Sequence, residues 1–395
     1  MYEQKVEIVT TMEAYFDNSA TTRCYDEVKD IVIQTMTEDF GNPSAMHQKG
    51  VEAERYVKES AAILAKLLKV NEKEIFFTSG GTESDNLALI GAAMANQRSG
   101  NHIVTTAVEH AAVLQPMEFL RRQGFELTIL PVDKRGVLAP GALKEALRPD
   151  TILVSVMYVN NEVGSVMPVD EIAKTVHEMS PKALFHVDAI QGFGKYVIHP
   201  KKAGIDLLSV SGHKIHGPKG VGFLYVNSKV KVQPQMLGGG QQNGMRSGTD
   251  NVPGIAGLGK AAYISYLDRS QKNEHLYRLK EQLVNGLVEM EQVVIHGMPV
   301  REGAPHIVSA CFSGIRSEVL LHTLEERGIY ISAGSACSSH KRKPSAVLTA
   351  MGLEPADIAC TVRFSFAEEN TPEEVDYTLG VLREVLPMLR RYSRR

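Results

Sequence analysis

Strand-like and helix-like segments alternate along residues 50–230, and this alternation limits the possible folds more than any other feature. Short apolar runs, each followed by polar residues, occupy residues 74–78, 102–107, 152–159, 183–187 and 206–210. Strands that alternate with helices predict an α/β fold whose mostly parallel sheet is covered by helices on both faces. Ligands bind such sheets at the carboxyl ends of the strands, so the polar residues there are the first functional candidates.

The chain has 395 residues, which is too long for one ordinary hydrophobic core. A glycine-rich stretch at residues 237–248 ends the alternation, and residues 255–290 have a largely helical pattern. We therefore predict a large domain over residues 15–260 and a smaller α+β domain made of residues 1–14 and 261–395. The last helix should begin at Thr371-Pro372-Glu373-Glu374, which has the pattern of a capping box with proline at the first helical position.

Charge and hydropathy exclude several classes of protein. The formal net charge is -3 and the pI is near 6.5, so there is no basic surface for nucleic acid or an anionic membrane. No apolar run approaches the roughly 20 residues of a membrane helix. Residues 1–16 lack the unbroken apolar stretch of a signal peptide. We therefore expect a cytoplasmic protein with no direct nucleic-acid or membrane partner.

The four cysteines are widely scattered, at Cys24, Cys311, Cys337 and Cys360. This spacing argues against a zinc site and against disulfides, and we predict no metal site. A free cysteine is usually a small buried hydrophobe. Cys337 is the poorest candidate for that role, because it lies among small polar residues just before a basic run at residues 340–343. Nearby cations favour a thiolate, although the outer members of this run equally fit a solvated surface patch.

Three strand ends carry groups that together suit a cofactor with a phosphate and a pyridine ring. Ser79-Gly80-Gly81-Thr82 lies between a strand and a helix, where backbone N–H groups bind phosphate. Asp188 can keep a pyridinium nitrogen protonated, and Lys214 can form a Schiff base. Taken alone, each has an ordinary explanation: a capped turn, a loop aspartate or a solvated lysine. The combination predicts a pyridoxal-phosphate pocket.

The same motifs characterise a known family. The chain resembles the NifS/IscS-type cysteine desulfurases, which belong to the class V aminotransferase group of fold-type I pyridoxal-phosphate enzymes. The resemblance covers most of the chain, from Tyr15-Phe16-Asp17-Asn18-Ser19-Ala20-Thr21-Thr22 to Arg363-Phe364-Ser365. The shared motifs between these ends are Gly41-Asn42-Pro43-Ser44, residues 78–86, Glu109-His110, Asn160-Asn161-Glu162, His186-Val187-Asp188, Gln191, residues 211–220 and Arg246-Ser247-Gly248-Thr249.

The resemblance implies a role for each matching residue. Lys214 would hold pyridoxal 5'-phosphate as a Schiff base, Asp188 would pair with its pyridinium nitrogen, and His110 would stack over the ring and transfer protons. The phosphate contacts would be the Gly81 backbone, Thr82, Ser211, His213 and Thr249 of a neighbouring subunit, which implies a homodimer. The remaining ring and substrate contacts would be Gln191, Asn161, Asn42 and Arg363. The planar guanidinium of Arg363 suits the substrate carboxylate.

The implied reaction converts L-cysteine to L-alanine and leaves the sulfur as a persulfide on Cys337. A protein acceptor would then take the sulfur for iron–sulfur cluster assembly, tRNA thiolation or cofactor biosynthesis. The pattern Ser335-Ala336-Cys337-Ser338 resembles the long-loop branch of the family, so we expect a mobile cysteine loop at about residues 333–345.

Two alternatives remain open at this point. A selenocysteine lyase or a related class V lyase would share the same pocket. A non-catalytic protein of this fold that binds a partner is the second alternative. The presence of Lys214, Asp188, His110 and Cys337 together argues against it.

Overall fold

A computed structural model describes residues 12–333 and 344–393. The strands are β1 (Ala14–Tyr15), β2 (Ile75–Thr78), β3 (His102–Thr106), β4 (Glu126–Leu130), β5 (Thr151–Met157), β6 (Leu184–Asp188), β7 (Leu207–Ser211), β8 (Gly222–Val226), β9 (Val293–His296), β10 (Ile307–Phe312), β11 (Ile329–Tyr330), β12 (Ser332–Ala333) and β13 (Thr361–Ser365). The helices are α1 (Asp26–Thr37), α2 (Gln48–Leu68), α3 (Gly81–Asn96), α4 (Ala111–Arg122), α5 (Pro140–Ala146), α6 (Val169–Met179), α7 (Pro200–Ala203), α8 (Val252–Tyr266), α9 (Arg269–Val288), α10 (Ser317–Glu325), α11 (Ala346–Ala350), α12 (Pro355–Ala359) and α13 (Pro372–Ser393).

Seven strands form the central sheet in the order β2-β8-β7-β6-β5-β3-β4. The strands from β7 to β4 are parallel, and β8 pairs antiparallel with both β7 and β2. Residues that alternate along a strand point to opposite faces. Leu208 and Val210 pack in a core with α2, α6 and α8, whereas Leu207 packs in a second core with α3 and α4. The predicted α/β fold, with a mostly parallel sheet between two helical layers, is confirmed.

A second sheet with its own core lies in the C-terminal part of the chain. Its four strands are antiparallel in the order β12-β13-β10-β9, and α9, α10 and α13 pack in its core. The helical stretch predicted over residues 255–290 is two helices, because Asp268 has a left-handed φ of 49° and separates α8 from α9. Since α8 runs across residue 260, the domain division at that residue stays a prediction.

The last helix begins as its capping pattern predicts. The Glu374 N–H donates to Thr371 Oγ1 at 3.3 Å, and the Thr371 N–H donates to Glu374 Oε2 at 3.2 Å. Helix α13 continues through Pro387. Among the helices of residues 12–333 and 344–393, none has the length and apolar character needed to cross a membrane.

Candidate active site

A cavity of about 260 Å³ lies at the carboxyl ends of the central strands. The ends of β5, β6 and β7 and the first turns of α3 and α4 form it, which is the position that a parallel sheet offers to a ligand. Ten residues that the sequence singled out line this one cavity: Gly81, Thr82, His110, Asn161, Asp188, Gln191, Ser211, His213, Lys214 and Arg363.

One end of the cavity suits a phosphate. Helix α3 begins there at Gly81, where the first N–H groups of a helix have no partner within it. A Cβ on Gly81 would lie 2.2 Å from Ile190 Cδ1, so a larger residue here would push the Ile190 side chain aside. Burial, with the charges of Lys214 and Lys219, lowers the pKa of His213 to about 4, which makes the imidazole neutral at pH 7.

Lys214 follows β7 in a short 3-10 turn, with its amine in the cavity. Its Nζ donates hydrogen bonds to the main-chain oxygens of Ser19 and Ala20, the latter at 2.8 Å. These two carbonyl groups hold the amine beside residues of the cavity wall.

Asp188 is the last residue of β6 and is buried. Its Oδ1 accepts the Ile190 N–H at 2.9 Å. Burial raises the pKa of Asp188 to about 6, and the Ile190 N–H and the charge of Lys214 oppose this shift. A cation on a bound ligand would stabilise the ionised form of this carboxyl group.

His110 lies between β3 and α4 and caps the helix. Its Nδ1 accepts the Ala112 N–H at 3.1 Å, so the neutral ring carries its hydrogen on Nε2. Burial lowers the pKa of His110, and the charge of Lys214 lowers it further. The ring is therefore a neutral imidazole at pH 7.

Arg363 reaches the cavity from β13 in the second sheet. Its Nη1 donates to the main-chain oxygen of Asn161 and its Nη2 to Asp17 Oδ1, both at 2.7 Å. Arg363 Nε is buried and has no hydrogen-bond partner within the described part of the chain. Nη1 and Nη2 each keep a second hydrogen that these contacts do not use, and a carboxylate in the cavity can accept from them.

Gln191 is fixed by two hydrogen bonds. Its Nε2 donates to the Ser19 main-chain oxygen at 3.0 Å, and His306 Nε2 lies 3.2 Å from its Oε1. Because the second Nε2 hydrogen is not used by Ser19, the amide can still donate into the cavity.

Two predicted site residues lie outside this cavity. Asn42 and Thr249 are exposed and lie outside its lining. A third predicted site residue, Cys337, lies outside the described residues. The same holds for the basic residues 340–343 and for most of the loop expected at about residues 333–345. No cluster of metal-ligating side chains occurs in residues 12–333 and 344–393.

The three other cysteines lie where a thiolate is disfavoured or where the thiol is buried. The Cys24 thiol donates to the Gly217 main-chain oxygen at 3.2 Å, while Cys311 and Cys360 are buried. Burial raises the pKa of Cys24, and it raises the pKa of Cys311 to about 11.

Several residues at the site had no role in the sequence analysis. Ser19 and Ala20 lie within a motif that carried the resemblance, and its Asp17 proves to be the ion partner of Arg363. Met157 and Ile190 also line the cavity, but apolar residues at strand ends give no chemical signal in a sequence.

Pyridoxal phosphate fits these residues. The glycine-lined start of α3 suits its phosphate, the buried Asp188 suits a protonated ring nitrogen, and Lys214 is a primary amine inside the cavity. The sheet, with this cavity at its strand ends, defines the chain as a fold-type I protein, the class of pyridoxal-phosphate enzymes.

The chain belongs to the class-V aminotransferase family, whose model matches residues 14–378. It is 44% identical over 379 residues to cysteine desulfurase IscS of Methanosarcina thermophila, covering 96% of this chain and 93% of that protein. It is 44% identical over 362 residues to putative cysteine desulfurase IscS 1 of Bacillus subtilis strain 168, covering 91% and 95%. A solved NifS-like protein matches with a TM-score of 0.90 at 39% identity, covering 96% of this chain and all of that one.

Proposed function

We propose that this chain is a pyridoxal-phosphate-dependent cysteine desulfurase that converts L-cysteine to L-alanine. The observation that carries the proposal is the meeting of Lys214, Asp188, His110 and Arg363 in one cavity, in a chain whose relatives are named cysteine desulfurases. These relatives do not favour the alternative of a selenocysteine lyase.

Each side chain has a task that follows from its position. When bound, the cofactor supplies an electron sink for charge that develops on the substrate Cα. Asp188 would stabilise the protonated ring nitrogen, and Lys214 would be the covalent attachment point. The neutral His110 would present the hydrogen on its Nε2, because its Nδ1 accepts the Ala112 N–H, and Arg363 would bind the substrate carboxylate.

The proposed sulfur acceptor is Cys337. Two neighbours of its segment support this role. Ala333 lines a crevice together with Asn161 and Arg363, on the substrate side of the cavity. Ser345, on the other side of the segment, donates from Oγ to Glu162 Oε2 at 2.5 Å. A thiolate there would attack the substrate sulfur, in the way that thiolates displace at sulfur in disulfide exchange. The S–S bond would form as the substrate Cβ–S bond breaks, and the electron pair would stay on the carbon skeleton, which takes up a proton to become alanine.

A homodimer would complete the site in this proposal. Thr249 is exposed on its own chain and would reach the phosphate of a second subunit. Ile33 and Met36 of α1 and the nearby Phe40 are exposed apolar side chains that a second subunit would cover. Asn42 would contact substrate in the same assembly. The acceptor protein is proposed to be a scaffold or a tRNA-thiolation enzyme, and the predicted location is the cytoplasm.

Persulfide mapping tests the central claim. The holoenzyme is incubated with L-cysteine, and the persulfide is located by mass spectrometry of alkylated peptides while alanine is measured. We expect the persulfide on Cys337 of the wild-type protein and no persulfide in Cys337→Ser. Cys24→Ser is the matched control and should retain the persulfide on Cys337. Alanine formation without a label on Cys337 would contradict the role of this residue. Absence of a borohydride-reducible chromophore would contradict the whole proposal.

A further inference from the structure

A layer of four buried titratable groups lies on the helix α3 side of the central sheet, next to the cavity. Asp85 comes from α3 and Glu109 follows β3. His186 and Asp188 are two residues apart on β6, so their side chains lie on the same face of the sheet. Asp188 lines the cavity, whereas the other three do not. It is energetically costly to ionise three carboxyl groups together in one buried layer, so the charge state of each one has to be explained.

Asp85 has the least support for a negative charge. Its side chain is fully buried, and no hydrogen bond of good geometry reaches either carboxyl oxygen from the described residues, although the Ser209 hydroxyl lies nearby. The closest ionisable contact is His186 Nε2, 3.6 Å from Oδ1. Burial raises the pKa of Asp85 well above its ordinary range, and the nearby Asp188 and Glu109 add to this, while the Ser209 hydroxyl opposes it.

His186 does not provide a compensating positive charge. Its Nδ1 lies 2.8 Å from Ser155 Oγ and its Nε2 lies 2.9 Å from Ser209 Oγ. Burial lowers the pKa of His186 to about 3, so the ring is neutral at pH 7. Asp85 therefore faces the Nε2 of a neutral imidazole that also contacts Ser209, and not a cation.

Glu109 is neutral at pH 7 for a related reason. Its Oε1 accepts from Thr106 Oγ1 at 2.6 Å and from the Met157 N–H at 3.0 Å, while Oε2 has no partner in residues 12–333 and 344–393. Burial raises the pKa of Glu109 to about 8, and Asp188 also raises it.

Asp188 differs from both, because a positive group faces it. Lys214 lies across the cavity, and the Ile190 N–H donates to Oδ1. Ser209 is its register partner on β7, so their side chains leave the sheet on the same face. Ser209 thus stands between Asp188, His186 and Asp85.

We propose that Asp85 is a protonated carboxylic acid in the folded protein and acts as a positioning residue for the ring-binding carboxylate. Through Ser209 and His186 it holds the groups behind Asp188, so that Asp188 is the only ionised carboxylate of the four-residue layer. A second ionised carboxylate would over-neutralise the single positive charge of a ring nitrogen. This role rests on the proposed cofactor function, but the protonation state of Asp85 does not.

The apoprotein tests the protonation state without any cofactor. Above an unfolded pKa of about 3.9, the unfolded chain loses the Asp85 proton while the folded chain keeps it, so stability falls as pH rises. Asp85→Asn cannot ionise and escapes this loss. We expect its thermal midpoint relative to wild type to rise steadily from pH 5 to pH 8. Asp30→Asn, at an exposed position on α1, is the control for removing one carboxyl group.

The holoenzyme tests the positioning role by spectroscopy. Asp85→Asn keeps a neutral hydrogen-bonding group, and we expect a cofactor dissociation constant within about threefold of wild type and an unchanged pH midpoint of the visible chromophore. Asp85→Leu has a similar size but no polar atom, and we expect affinity weaker by about tenfold with a shifted midpoint. Ser209→Ala should shift the same midpoint, and it replaces the leucine variant if that variant does not fold.

Three results would overturn the proposal. A stability difference between Asp85→Asn and wild type that stays flat or falls with pH would mean that Asp85 is ionised. Wild-type chromophore behaviour in the leucine and Ser209→Ala variants would leave Asp85 no positioning role. An asparagine variant as impaired as the leucine variant would mean that the charge matters. A wild-type protein without a chromophore would instead refute the proposed function, while the apoprotein result would still stand.

Discussion

Arg363 and Asp17 form an ion pair in which Nη2 lies 2.7 Å from Oδ1, with the arginine side chain 6% exposed and the aspartate 22%. The pair joins β13 of the second sheet to the chain just before the Ser19 and Ala20 carbonyls that hold Lys214. Asp17 orients the guanidinium, and the second hydrogens of Nη1 and Nη2 are left for a substrate carboxylate.

Arg363→Lys should therefore weaken cysteine binding more than it slows turnover. A lysine cannot donate two parallel hydrogen bonds, so we expect KM for cysteine to rise about 10- to 100-fold with a smaller change in kcat. Steady-state kinetics measures both, and the exposed Arg278→Lys is the control. Asp17→Asn should raise KM less, since Asp17 only orients the arginine. An unchanged KM in Arg363→Lys would contradict the assignment.

Borohydride reduction of the holoenzyme should attach the cofactor to Lys214. Lys195 is a demanding internal control, because its Nζ lies near Lys214 and burial lowers the pKa of Lys195 to about 8. Peptide mapping of the reduced protein should find the adduct on Lys214 and none on Lys195. Lys214→Ala should abolish the adduct and the chromophore. An adduct on Lys195 in the wild-type protein would refute this prediction.

The acidic limb of kcat/KM should lie below pH 6.5. Burial and Lys214 lower the pKa of His110 from its usual value of about 6.5, so its neutral form persists to lower pH. Activity that needs a neutral His110 is retained at pH 6.5 and lost as pH falls through the lowered pKa. The pH profile of wild type is compared with that of His110→Gln, which should lose this limb together with most of kcat. If His110→Gln showed the same acidic limb, the limb would belong to a titrating group other than His110.

Gly81→Ala should damage the phosphate end of the cavity. Its Cβ would push the end of the Ile190 side chain, which lines the cavity, so we expect weaker cofactor binding with a stability loss of about 1 kcal/mol. Gly380→Ala is the matched control, because nothing lies within 4 Å of its Cβ position on α13. That substitution should stabilise the helix by about 1 kcal/mol. Denaturant unfolding and cofactor titration of the two variants measure the contrast, and equal effects would exclude a special role for Gly81.

Ser345→Ala should slow persulfide formation. Ser345 caps α11, since its side chain accepts the Leu348 N–H at 3.1 Å, and it also donates to Glu162. Losing the cap costs about 1 kcal/mol, and losing the contact releases the chain next to the segment that carries Cys337. A single-turnover assay should show slower labelling of Cys337 with KM unchanged. Glu162→Gln, at a half-buried position, should have the smaller effect, because an amide oxygen still accepts; the reverse order would contradict this account.

Much of the fold was predictable because its signals are local. Apolar runs that alternate with helical patterns correctly identified β3, β5, β6 and β7, and the capping box correctly identified the start of α13. Two strands of the central sheet were missed. The edge strand β4 is half-exposed and lacks a continuous apolar run, whereas β8 is as apolar as its neighbours. Strand β8 is antiparallel and follows a loop instead of a helix, which breaks the alternation on which the prediction relied.

The sequence alone was enough for the α/β class and for the groups that follow the strands, including Asp188 and Lys214. Strand and helix periodicity depends on neighbours along the chain, and parallel strands bring their carboxyl ends to one edge. Tertiary packing alone joined Arg363 to Asp17, 346 residues away in the chain, and buried Asp85 beside His186. Such contacts depend on how sheets and helices pack, and burial then determines which carboxyl groups keep their protons.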